Sequence, residues 1–76
     1  MIGELDTVVL SRDLPEHGLR TGDIGAIVHI YGDKIHVDVE FVSGKGRTIS
    51  LVTLMKKDIR LMADGEILHV RHLKAA

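Results

Sequence analysis

Apolar and polar residues alternate along most of the chain, and a period of two is the mark of half-buried β-strands. Thr7-Val8-Val9-Leu10 predicts a short first strand. Ser11 to Gly22 contains Pro15, Gly18 and Gly22 without a strand pattern, and predicts a long loop. Asp23 to Tyr31 and Lys34 to Phe41 predict the second and third strands. A turn at Ser43-Gly44-Lys45-Gly46 then leads into a fourth strand, Arg47 to Leu54. Met55-Lys56-Lys57 is too short for a stable helix and predicts one helical turn. Asp58 to Met62 and Glu66 to Val70 predict a last hairpin around Asp64-Gly65, extending as a sixth strand to Leu73.

Two registers follow from this pattern. A two-residue loop at Gly32-Asp33 sets Ile30 opposite Ile35 and Val28 opposite Val37. Ile24, Ala26, Val28 and Ile30 then share a core face with Ile35, Val37, Val39 and Phe41, leaving Ile27, His29, Tyr31, His36, Asp38 and Glu40 outside. Asp-Gly between strand-like runs is a type I′ turn signal, because both positions need positive φ. It sets Leu61 opposite Leu68 and Ile59 opposite Val70. On the other face it sets Met62 beside Ile67, Arg60 beside His69, and Asp58 in an ion pair with Arg71.

Five short strands, a long first loop and a helical turn before the fifth strand describe an all-β fold, a small SH3-like barrel with an additional C-terminal strand forming a hairpin over residues 58–73. A chain of 76 residues is expected to be a single domain over 1–76. Its core is marginal at this size, worth about 3–5 kcal/mol, which makes oligomerisation an expectation from length alone. Cysteine is absent, which removes disulfides, thiolate metal sites and cysteine nucleophiles together. The formal net charge of −1 gives no global attraction to nucleic acid or anionic lipid. No apolar run approaches the roughly 18–20 residues of a membrane span, and the first residues carry acids where a secretory signal carries Lys or Arg. The expectation is a cytoplasmic protein with no membrane contact.

Asp6-Thr7-Val8-Val9-Leu10, Asp13-Leu14-Pro15-Glu16-His17-Gly18-Leu19, Gly22-Asp23-Ile24-Gly25-Ala26-Ile27-Val28, Val39-Glu40-Phe41, Gly46-Arg47-Thr48 and Leu51-Val52-Thr53-Leu54 occur in order. Together they resemble a family of small stand-alone bacterial proteins catalogued as a domain of unknown function, over roughly Asp6 to Leu61. The resemblance implies an SH3-like barrel, and an accessory role of antitoxin or immunity type. The tail from Ala63 to Ala76 departs from the shortest version of the pattern. Gly22 to Val28 also resembles the KOW motif of ribosomal and transcription proteins, which implies nucleic-acid binding as the alternative reading. Such binding needs a basic stripe and stacking aromatics, whereas the outer face of the third strand is His36, Asp38 and Glu40.

Candidate chemistry is sparse. Five histidines invite a metal site, and the register above sets His29 opposite His36 with Asp38 and Glu40 on the same face. A solvated polar strand face accounts for the same residues, so no metal and no cofactor is expected. Ser43 to Thr48 lacks the spacing and the helix of a phosphate loop. No nucleophile–base constellation stands out, and no catalytic residue is assigned; the chain is not expected to be an enzyme. Long loops on rigid scaffolds carry binding, so Asp13, Glu16, His17 and Arg20 are the expected partner-binding residues, with Leu14 and Leu19 closing one end of the barrel. Met62, Ile67 and Leu73, apolar on the hairpin's polar face, are the expected self-association surface. The expected function is therefore a non-enzymatic interaction module, homo-oligomeric, with a protein or peptide partner.

Overall fold

A computed structural model describes residues 2–73. The strands β1 (Thr7–Leu10), β2 (Ile24–Ile30), β3 (His36–Val42), β4 (Thr48–Met55) and β5 (Ile59–Leu61) form one antiparallel sheet of order β4-β3-β2-β1-β5. β4 and β5 stand at opposite ends of that order, yet only the 3₁₀ turn Lys56–Asp58 joins them. The sheet must therefore curl until its two ends meet at this turn. The result is an incomplete barrel, because β4 and β5 do not hydrogen-bond to each other. The all-β architecture, the five strands, the long first loop and the helical turn agree with the sequence pattern.

Alternation along β1, β3 and β4 delivers Val8, Leu10, Val37, Val39, Phe41, Val52 and Leu54 to the interior, where Ile59 joins them. Leu14 and Leu19 plug one end of the core. Each donates its amide to the other's carbonyl, at 2.9 and 3.1 Å, so the loop between them closes as a small bridge. With only one Phe inside, packing rests on aliphatic side chains.

The register of β2 on β3 differs from the sequence expectation. Observed partners are Ala26 with Glu40, Ile27 with Val39, His29 with Asp38 and Ile30 with Val37, with an irregularity between Ile27 and His29. Ile27 is thus fully buried, while Val28 and Ile35 are exposed. Two causes combine. The loop is longer than two residues: the Tyr31 amide donates to the His36 carbonyl, and Lys34 turns the chain at φ 60°. At the strand's start Gly25 lies against Val39 and Phe41, which fixes Gly25 and Ile27 on the core face. The bulge at Val28 then returns Ile30 to the core side.

The C-terminal hairpin does not form either. Residues 62–73 are not in a strand, apart from a single continuation in which the Met62 amide donates to the Thr7 carbonyl at 3.3 Å. A turn is present at Asp64-Gly65, but neither residue has positive φ, so it lacks the type I′ twist that sets a hairpin register. Instead Glu66 folds back: its carboxylate accepts from Arg60 at 2.7 and 2.6 Å and from the Ala63 amide at 2.6 Å. The expected pairs Leu61–Leu68, Ile59–Val70, Met62–Ile67, Arg60–His69 and Asp58–Arg71 are consequently absent. Asp58 is buried and accepts from Arg12 Nε at 2.9 Å and from the Met55 amide at 3.1 Å. Arg71 instead pairs with Asp23, just before β2.

Candidate functional site

The first loop is built to hold a fixed shape. Pro15 pre-sets φ for the 3₁₀ turn Pro15–His17, and Gly18 ends it in the left-handed region at φ 68°. Asp13 Oδ1 accepts from the Thr21 amide at 2.8 Å and from Thr21 Oγ1 at 3.0 Å. These bonds, the amide first, hold the Asp13 carboxyl below its ordinary pKa. Asp13 therefore braces the loop from within. Glu16, His17 and Arg20 are exposed, and among the described residues their side chains make no hydrogen bond.

All four expected partner-binding residues, Asp13, Glu16, His17 and Arg20, line one open groove of about 680 Å³. Its opposite wall is Ile49 and Ser50 at the start of β4, and Arg71 and Leu73 complete it. A second hollow of about 390 Å³ adjoins it, with Ile24, Phe41 and Val42 on the sheet side and Leu68 and Val70 on the other. The segment 67–73 contributes Arg71 and Leu73 to both hollows and Leu68, His69 and Val70 to the second; we call it the strap.

One clamp holds the strap. Asp23, 7% exposed, accepts from Arg71 Nε at 2.7 Å and from Arg71 Nη2 at 2.5 Å, a bidentate fork. Arg71 Nη2 also donates to the Gly18 carbonyl at 2.9 Å, and His69 Nε2 lies 3.1 Å from Asp23 Oδ1. On its inner side Asp23 Oδ2 accepts from the Arg20 amide at 2.8 Å. Burial pushes the Asp23 carboxyl up, but the bonds from Arg71, the Arg20 amide and His69 outweigh it and leave the carboxyl below its ordinary pKa. The same pairing raises Arg71. Sequence reading missed these three residues. Asp23 and Arg71 are 48 positions apart, and the only local signal was the basic run His69-Val70-Arg71-His72 near an acid-poor end.

The polar outer face of the sheet is closed on itself. His29 stands opposite Asp38, not His36, and packs edge-on against Tyr31 at a centroid distance of 4.6 Å. Tyr31 Oη and Thr53 Oγ1 donate to Asp38, at 3.0 and 2.6 Å, and Thr48 Oγ1 donates to Glu40 at 2.6 Å. His36 Nδ1 sits 2.6 Å from Asp33, whose carboxyl is lowered to about 2, first by the His36 and Ile35 amides. Among the described residues no three such side chains gather as a metal-binding group.

The expected self-association residues are not brought together. Met62 is half-buried beside β1, Ile67 is 92% exposed, and Leu73 lines both hollows beside Leu19 and Ile49. Among the described residues no helix is long and apolar enough to cross a membrane.

Compared with known proteins, residues 4–61 match the model of a domain of unknown function, DUF4926. All five strands and the first loop lie inside that match, and the strap lies beyond it. No curated protein and no solved structure matches the chain.

Proposed function

We propose that this chain, which belongs to the DUF4926 family, is a non-enzymatic interaction module that holds a protein or peptide partner in the groove beside its first loop and associates with copies of itself. One observation carries the reading. The fold braces the loop from within through Asp13, Leu14 and Leu19, and leaves Glu16, His17 and Arg20 uncommitted on the rim of one groove. A loop backbone already braced need not be ordered on binding, which lowers the cost of recognition. Ile49 and Leu73 add apolar lining to the same groove, as a peptide site requires. An accessory role of the antitoxin or immunity kind is the version of this function that the family resemblance suggests.

The test is selection of a displayed random-peptide library on the full-length protein, followed by titration of the selected peptides. Binding is expected to fall at least about tenfold, roughly 1.4 kcal/mol, in a Glu16→Lys/Arg20→Glu variant. The variant's thermal stability should be unchanged, because both side chains are exposed. A library that yields no binder, or binders indifferent to both substitutions, would overturn the groove as the site.

A further inference from the structure

The clamp on the strap has the form of a receptor and its ligand. Asp23 is already oriented by the Arg20 amide, and the Gly18 carbonyl supplies a further acceptor beside it, so the barrel presents a fixed guanidinium site. Arg71 fills that site, and the rest of the strap is held lightly. Among the described residues the strap makes no backbone–backbone hydrogen bond beyond Glu66. Ile67 and Val70 are 92% and 93% exposed, so these two apolar side chains are not spent on the chain's own core.

We propose that the strap docks in trans as well as in cis, residues 67–73 of one copy placing Arg71 in the Asp23 site of a second copy. Charge complementarity selects the occupant: a buried carboxylate with a backbone acceptor beside it calls for an arginine, and the chain carries one on a segment without helix or strand that lies outside its family domain. Every copy displays both halves, so exchange reproduces the clamp's contacts between two molecules, the logic of domain swapping. Cis occupancy competes, since a short tether acts like a millimolar ligand; exchange therefore rises with protein concentration, and removing the cis contact exposes the site.

This deepens the self-association in the proposed function and rests on it. The experiment mixes two full-length variants and measures mass by sedimentation and native mass spectrometry. Arg71→Ala empties the site and disables the strap; Asp23→Asn removes the charge while keeping an oxygen for the Arg20 amide. Each variant alone is expected to be monomeric, the mixture to form a one-to-one heterodimer, and the wild type to dimerise as its concentration approaches about 1 mM. A mixture that stays monomeric overturns the proposal. If wild type is also monomeric throughout, self-association falls with it, whereas a dimer that persists in both single variants leaves self-association standing on another surface and removes the strap from it. Should Asp23→Asn fail to fold, a synthetic peptide of residues 66–73 titrated into Arg71→Ala decides the matter. It should bind at least about tenfold more tightly than to wild type. No binding, or equal binding of a scrambled peptide with the same arginine, overturns recognition of the second copy.

Discussion

Gly25 sets the geometry of the barrel wall. A Cβ built there would lie 2.6 Å from Val39 Cγ1, 2.9 Å from the Glu40 carbonyl and 3.1 Å from Phe41 Cδ2. The Glu40 oxygen is backbone within β3 and cannot swing away, so an added methyl must push β2 off β3. Gly25→Ala is expected to destabilise by about 1–3 kcal/mol, the usual range for overpacking a core. Urea unfolding checks it, and a loss under about 0.5 kcal/mol would show that the two strands separate easily. Asp58 teaches a related point. It is a buried acid that ties Arg12, the Met55 amide and the last helical turn together, whereas the hairpin register pairs it with Arg71. A charged residue's sequence position says that it needs a partner, while only the tertiary fold says which one.

Elements with a strict period were legible in the chain, and elements decided by a turn were not. β1 was read to its residue limits and β3 with its core face, because Val37, Val39 and Phe41 alternate with His36, Asp38 and Glu40. β2 is apolar on both faces, Ile24, Ile27, Val28 and Ile30, so alternation cannot choose its face; Gly25 and the loop chose instead. The loop also carries local strain that is testable. Lys34 adopts φ 60°, a left-handed conformation that costs a residue with a Cβ about 1–2 kcal/mol. Part of that gain is returned as glycine's larger entropy loss, so Lys34→Gly is expected to stabilise by roughly 0.5–1 kcal/mol. Chemical denaturation of the two proteins measures the difference, and a destabilised variant would mean that the Lys34 side chain supports the turn. The candidate site divides the same way. The loop with Asp13, Glu16, His17 and Arg20 stood out by its length and polarity, whereas the clamp joins two segments through long-range charge and left no periodic trace.

At the scale of the whole molecule, a small core is supplemented by ion pairs that tie its ends to its middle. Arg12–Asp58 ties the chain after β1 to the β4–β5 turn, and Asp23–Arg71 holds the strap beside the start of β2. The two have different consequences when lost, because the first lies within the family domain and the second reaches outside it. Asp23 has a folded pKa below its unfolded value, so its contribution is fully present above about pH 4 and lost as pH falls through the lower folded value. Glu66, lowered to about 2, first by Arg60, titrates in the same direction at the turn that launches the strap. Acid therefore weakens both ends of the strap while leaving the aliphatic core, which has no titrating group among its members. Resonances of residues 66–73 are expected to shift in a step as the pH falls below about 4, before the core amides of β1 to β4 lose protection. Asp23→Asn should show the low-pH strap at neutral pH, with the step abolished for residues 69–73. A single transition, with strap and core moving together, would instead make the strap an inseparable part of the barrel, its ion pairs supporting the fold itself.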